Sequence, residues 1–216
     1  MIMIVNLSAK NSLLHQFLNE IRDCNKQKDS MRFRTNLERI SQVLGYELSK
    51  ELEYKEIQVQ TPLGIKSSFE LKDTVVIANV LRAGIPMHYG LLQYFDHAEN
   101  AFISAYRKYS KSGDFVIRLE YASSPNLDGK ILVLCDPMIA TGASLVATLQ
   151  QLKKYGEPKK VYILGVIASV VGLEYLQKNA DIDEILVGDI DDEITAKGYI
   201  VPGLGDAGDL AFGPKV

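Results

Sequence analysis

The sequence predicts an α/β fold: a mostly parallel central sheet flanked by helices, with a β-hairpin arm and a C-terminal hood loop. Three observations carry this expectation. Near-continuous apolar runs over 74–80, 130–135 and 160–168 read as strands buried on both faces. Stretches with helical spacing separate these runs, and strands alternating with helices imply right-handed crossovers between parallel neighbours. The bulk composition suits such a core: 216 residues, 47% of them apolar, suffice for one domain over 1–216.

The elements follow in chain order. Leu13, Leu14, Phe17, Leu18 and Ile21 recur at helical spacing, as do Phe33, Leu37, Ile40 and Leu44. Two amphipathic helices therefore occupy 8–50, with Ser30 as the expected N-cap of the second. Alternation over 56–61 and 66–71 around Pro62-Leu63-Gly64 predicts a hairpin. Next come the strand 74–80, a helix over 85–94, and strands over 101–106 and 130–135. A helix over 144–155, a strand over 160–168, a short helix over 173–178 and a strand over 184–189 complete the alternation. Phe115, Ile117 and Leu119 alternate, so 114–121 reads as a hairpin arm with a tip at 110–113, together a lid over 105–122. The acidic run 189–193 reads as a solvated loop, and 198–216 is rich in glycine and proline without periodicity.

Composition narrows the function. Charged residues are 24% and the net charge is -3, which argues against nucleic acid as the main partner. Cys24 and Cys135 do not make a disulfide framework, and Cys135 ends an apolar run where a buried thiol is ordinary. The apolar start 1–5 is too short for a signal peptide, and no run reaches the roughly 18 apolar residues of a membrane span. A reduced, cytoplasmic protein without a membrane partner is expected. His15, His88 and His97 have no metal-ligand spacing, and Ser169 has no evident triad partner.

The stretch 133–144, "VLCDPMIATGAS", carries the chemistry. An apolar strand stops at Asp136-Pro137, then Met138 and Ile139 lead into Ala140-Thr141-Gly142-Ala143-Ser144, and a helical pattern follows at once. The first turn of a helix leaves backbone N–H groups unpaired, and the dipole adds positive potential there. Small residues let a phosphate reach that backbone, while Thr141 and Ser144 offer hydroxyl donors. Asp136, at the strand end, can accept hydrogen bonds from sugar hydroxyls. The competing interpretation is an ordinary βα turn capped by Thr141 or Ser144. The whole string favours a phosphosugar cradle, though not a Walker loop, because the second Gly-Lys pair is missing.

Residues 203–208, "GLGDAG", formally match a dinucleotide fingerprint. No strand leads in at the right spacing, no helical pattern follows, and too little chain remains for a βαβ unit. A loop presenting backbone groups fits better.

On these residues the sequence resembles the uracil phosphoribosyltransferase family of the type I phosphoribosyltransferase fold. Asp136-Pro137 stands where most relatives of that fold carry an acidic pair. "VLRAG" at 80–84 resembles the family's pyrophosphate-contacting loop, and "AYRK" at 105–108 its strand ending in Tyr-Arg. "GYIVPGLGDAGDLAFGPK" at 198–215 resembles its uracil-binding segment, and "MRFR" at 31–34 the opening of its second helix.

The resemblance implies transfer of the phosphoribosyl group from 5-phosphoribosyl 1-diphosphate to uracil, giving UMP and pyrophosphate. It implies that Arg82 and Arg107 hold the diphosphate, and that Asp136 and Asp206 act at the sugar. Residues Pro137 to Ser144 would bind the phosphosugar, and Ile200, Gly205, Asp206 and Ala207 the uracil. It further implies Mg²⁺ bound mainly through substrate, a homodimer or higher homo-oligomer, and a cis peptide at or beside Arg82. Gly84 would admit the diphosphate to the backbone.

Three departures stand out. The lid lacks the family's acidic residues and proline after Tyr-Arg. Ala143 replaces a second cradle glycine, and Ser169 to Gly172 replace Ala-Pro-Glu-Gly. The altered lid motivates a rival reading: a non-catalytic relative that binds nucleotide or phosphoribosyl diphosphate in a regulatory role. A transferase acting on another base is the third.

Overall fold

Side chains alternate across a strand, so a strand covered on both faces has to be apolar at successive positions. The strand β4 (Val75–Leu81) meets this condition. Val75 and Ile77 join one apolar cluster, while Val76, Ala78 and Val80 join another on the opposite face. The computed structural model behind this description covers residues 2–109 and 115–215, and the side chains outside 105–119.

Seven strands form the main sheet, in the order β1-β9-β8-β7-β4-β5-β6. They are β1 (Met3–Asn6), β4, β5 (Glu99–Tyr109), β6 (Phe115–Ser123), β7 (Ile131–Ile139), β8 (Lys160–Ser169) and β9 (Glu184–Asp191). All neighbours are parallel except β5 and β6. The helices α1 (Leu14–Arg22), α2 (Ser30–Ser49) and α3 (Ile85–Leu92) pack on one face, through Leu18, Phe33, Ile40 and Met87. The helices α4 (Ala143–Leu152) and α5 (Val170–Asn179) cover the other, through Leu145, Leu149, Leu173 and Leu176. The expected fold class therefore holds.

From β4 the chain steps through α3 to β5 on one side, whereas β7, β8 and β9 build outward on the other. The direction of winding reverses between β4 and β7. In an open parallel sheet, ligands bind at such a switch point, beyond the carboxyl ends of its two strands.

Several elements differ from expectation. The edge strand β1 was not foreseen: four residues give too little pattern, and its partner β9 lies near the other end of the chain. Asp29, not Ser30, caps α2, its side chain accepting from Arg32 N. The helix after the cradle ends at Leu152, and a 3₁₀ turn continues it over Lys153–Tyr155. Asp189 and Asp191 belong to β9 and pair with Arg22, so the acidic run is not a solvated loop. The tail is also more ordered than its composition suggests. It contains β11 (Ile200–Val201), paired with β10 (Glu193–Ile194), and α6 (Ala207–Phe212). The β5–β6 hairpin extends the main sheet, and its tip, 110–114, lies outside the described residues. The hairpin of β2 (Tyr54–Thr61) and β3 (Gly64–Leu71) is a separate two-stranded sheet. Among the described residues, no helix is long and apolar enough to cross a membrane.

The two N-terminal helices are joined by polar contacts at their solvent edge. Glu20 accepts from Arg32 Nε and Nη2, each at 2.8 Å, and from Asn36 Nδ2 at 2.7 Å. These contacts, those of Arg32 first, pull the Glu20 carboxyl from 4.5 down to about 2. A depressed carboxyl contributes stability that is present above its unfolded pKa and is lost as pH falls through the folded one. Glu20→Gln is therefore expected to lower the melting temperature at neutral pH. The gap to the wild type should close as pH falls from about 4.5 towards 2, read by thermal melts across that range.

Candidate functional site

The parallel ladder between β4 and β7 ends at Asn79 and Cys135. Beyond that rung the two chains diverge, and a cleft of about 390 Å³ opens between them. Arg82 and Ala83 line it from the β4 side, and Asp136, Met138, Ala140 and Ser144 from the β7 side. The tail closes it with Tyr199, Ile200, Gly205, Asp206, Ala207, Gly208 and Lys215. A smaller cavity of about 160 Å³ lies near Leu149, Leu152 and Asn179, at the C-terminal ends of α4 and α5. Those ends carry negative potential, so an anion is favoured in the larger cleft instead.

Local geometry explains the cradle. Asp136 Oδ1 accepts from Met138 N at 3.1 Å, which turns the chain as it leaves the ladder. Pro137, without an N–H, falls beyond the rung where β4 stops pairing and is skipped in the β7–β8 register. Gly142 is the N-cap of α4, at φ +73°, and no side chain caps the helix. Left-handed backbone favours glycine. A Cβ there would also lie 2.8 Å from the Gly172 carbonyl oxygen. Thr141 Oγ1 accepts from Ala143 N at 3.5 Å, but neither Thr141 nor Ser144 is the N-cap of the helix. Ala143 has no positive φ, so its methyl group is tolerated in place of a second glycine.

The cradle is supported from behind by a segment that the sequence left unassigned. Ser169, fully buried, donates to the Ala140 carbonyl at 2.5 Å and accepts from Gly172 N at 2.9 Å, capping α5. A Cβ on Gly172 would meet the Ile139 and Ala140 carbonyls. Ser169 to Gly172 therefore set the path of the turn at 139–142 without the proline and acid of the resembled pattern.

Arg82 follows β4 through a cis peptide, Leu81–Arg82, as the resemblance implied. Its Nη2 donates to Asp209 Oδ1 at 3.0 Å and to the Gly213 carbonyl at 3.1 Å. Its Nε is buried and has no hydrogen-bond partner among the described residues. Gly84 serves its own turn: its N–H bonds to the Val80 carbonyl at 3.0 Å, and a Cβ would meet that same oxygen. Close chain packing, not approach of a ligand, is the observed reason for glycine there. Asp206 caps α6, accepting from Asp209 N at 3.0 Å.

A model of uracil phosphoribosyltransferase matches residues 8–214. The uracil phosphoribosyltransferase of Porphyromonas gingivalis is 45% identical over 214 residues, covering 99% of both chains. That of Pyrococcus furiosus is 41% identical over 204 residues, covering 93% of this chain and 86% of its own. The chain belongs to the uracil phosphoribosyltransferase family. Among solved structures, the AQ2163 protein of Aquifex aeolicus superposes with a TM-score of 0.86 at 33% identity, covering 99% of this chain and 100% of its own. A hypoxanthine phosphoribosyltransferase from Staphylococcus aureus matches at TM-score 0.50 and 14% identity, a likeness of fold alone, covering 73% of this chain and 74% of its own.

Of the residues singled out from sequence, the cleft brings together Arg82, Asp136, Met138, Ala140, Ser144, Ile200, Gly205, Asp206 and Ala207. Thr141, Gly142 and Ala143 form the turn beside it, while the Pro137 and Ile139 side chains are buried in the sheet. Arg107 falls in 105–119, whose side chains lie outside the described residues. Sequence reading missed Tyr199 and Lys215 as lining residues. Both lie within the 198–215 stretch on which the resemblance rests, but neither is singled out there. Gly142→Ala is expected to lower stability by about 1–3 kcal/mol in urea melts, because it forces a side chain into left-handed backbone. Ala143→Gly, where φ is already helical, should cost no more than about 1 kcal/mol.

Proposed function

We propose that this cleft transfers the phosphoribosyl group of 5-phosphoribosyl 1-diphosphate to uracil, giving UMP and pyrophosphate. Membership of the family supports this reading. The observation that carries it is one shared cleft, lined by Ala140 and Ser144 at the start of α4 and by the backbone-rich loop at Gly205 and Asp206. The first suits a phosphate monoester, and the second a flat base presented edge-on.

Uracil N1, its proton released to water, forms the bond to ribose C1 as the C1–O bond to diphosphate breaks, and the electron pair leaves with the pyrophosphate. Charge develops on both fragments, so the protein acts by positioning and electrostatic stabilisation. Arg82, which lines the cleft, meets the leaving diphosphate through its guanidinium. Asp136 holds the ribose hydroxyls, and residues 140–144 hold the 5-phosphate. Ile200, Gly205, Asp206 and Ala207 present main-chain groups to the base and favour its ionised form at N1. The β5–β6 hairpin, with Arg107, acts as a lid that excludes water. In this reading the N-terminal helices over 8–50, the lid and the tail all serve one functional unit.

Mg²⁺ fits the donor set in a particular way. Among the described residues no three His, Cys, Asp or Glu side chains gather around a point, yet Asp136 and Asp206 both line the cleft. Mg²⁺ commonly keeps its waters and binds through one or two carboxylates plus substrate phosphates. Such an ion would be bound mainly through substrate oxygens and waters, beside the Asp136 and Asp206 carboxylates that line the cleft, and would offset the diphosphate charge. Two free cysteines, one of them buried, suit a reducing cytoplasm. The β2–β3 hairpin points to a homo-oligomer. An isolated two-stranded ribbon is marginal in water, yet this one exposes Ile65 and Phe69 on one face. A second copy of the chain would cover them.

Mixing the protein with uracil, phosphoribosyl diphosphate and Mg²⁺ should yield UMP by chromatography, and absence of product across pH and Mg²⁺ series would falsify this reading. Arg82→Lys keeps the charge but loses the fork, so kcat/KM for phosphoribosyl diphosphate should fall roughly a hundredfold. An unchanged value removes Arg82 from the site. Ile65→Lys combined with Phe69→Lys should shift the sedimenting mass towards one chain. An unchanged mass means that the ribbon is not the interface.

A further inference from the structure

A loop that reads a base with its backbone has few side chains of its own to hold it in place, so something behind it must. The C-terminal ends of α1 and β9 supply that support. Arg22 Nη2 donates to Asp189 Oδ2 at 2.7 Å and Asp191 Oδ1 at 2.9 Å, and Nη1 to Asp191 Oδ2 at 2.8 Å. The same Nη1 donates to the Gly203 carbonyl at 3.0 Å, and Asp191 Oδ2 accepts from Gly203 N at 2.9 Å. Both main-chain groups of Gly203 therefore end on one ion pair. Gln27 Nε2 adds a bond to the next carbonyl, that of Leu204, at 3.2 Å. Gly203 sits at φ +55°, and a Cβ there would collide with the Ile200 carbonyl, so no side chain could take over the task.

We infer that Arg22 and Asp191 are positioning residues for the base: their ion pair grips Gly203 from behind and fixes the main-chain groups at Gly205, Asp206 and Ala207 that face the cleft. The inference rests on the function proposed above, and deepens it at the uracil end. Burial supports it. Side-chain exposure is 18% for Arg22 and 6% for Asp191, so the pair is costly to desolvate and is weak as a device for stability alone. A buried pair of this kind is better suited to fixing one conformation. Asp189 is held by a second contact, from Ser8 Oγ at 2.6 Å, and orients the guanidinium without touching the loop. Burial works against the charge on Asp189, but the Ser8 and Arg22 hydrogen bonds outweigh it and keep the carboxyl below its ordinary range. The geometry separates a positioning role from a general staple. The hydrogen bonds of Arg22 and Asp191 reach β9 and the tail loop, and none goes to Arg82, Asp136 or residues 140–144.

The test compares Asp191→Asn and Arg22→Lys with the wild type, and uses Asp189→Asn as a variant that leaves the Gly203 contacts in place. KM for uracil should rise about tenfold in the first two, the size expected for losing a charge-assisted hydrogen bond, while KM for phosphoribosyl diphosphate changes less than about twofold. Asp189→Asn should move uracil KM less than either. Equal rises in both KM values, or no rise in uracil KM, overturn the proposal. Amide hydrogen exchange gives a readout independent of turnover. Gly203 and Gly205 should exchange faster in the variants, with α4 amides unchanged. Uniform acceleration across the chain means a general staple, and unchanged exchange at Gly203 means no grip at all; either result overturns the inference. If one variant fails to fold, the other carries the same comparison. A wild type that makes no UMP sinks the function itself, and the exchange result at Gly203 still decides whether the pair holds the loop.

Discussion

The hydrogen-bonded ladder joining β4 to β7 stops at Asn79 and Cys135, and the site depends on that stop. Up to this rung both strands are buried on two faces and have one choice of path. Past it, one chain turns at once through Arg82 and Gly84 into α3, while the other runs on through Asp136 to the turn at Gly142. Their separation creates a concave space at the reversal of winding, where helix starts and strand ends converge. The sheet need not be built for this chemistry; its connectivity supplies the gap, and the loops supply the chemistry.

Each functional loop is shaped from behind. Ser169 and Gly172 press against the carbonyls of the phosphate turn, and the Val80 carbonyl closes the Arg82 loop onto Gly84 N. Arg22 and Asp191 grip Gly203 behind the base loop. The physical reason is common to all three. Loops that bind through backbone are built from small residues, which bring no packing surface of their own, so support comes from polar contacts made by neighbouring elements.

The two substrate ends are also tied to one another. Asp206 caps α6, the first turn of that helix presents Asp209, and Asp209 accepts from Arg82. An element that closes the cleft is thereby linked to Arg82 on its other side. Arg82 is also bonded to the Gly213 carbonyl, so the chain end is part of the same connection. The proposed base loop therefore lies between two anchors, the Arg22–Asp191 pair on one side and Arg82 on the other.

Much of this was legible in one dimension. The apolar runs of β4, β7 and β8 reveal strands because burial on both faces leaves no alternation to misread. The small residues 140–144 after Asp136 mark a tight turn at a helix start, and the tail 198–215 marks a second segment that lines the same cleft. What the residues could not disclose are the partnerships between distant segments. Arg22 and Asp191 look like ordinary surface charges at a helix end and in an acidic run, and Ser169 looks like a serine without a partner. Ser169 shows locally only as a cap of α5, and the contacts that matter here reach segments 12 to 181 positions away, at Gly203 or Ala140. Chain periodicity records which face of an element is buried, whereas the identity of the neighbour on that face is decided only when the sheet order and helix packing bring separate stretches of chain together.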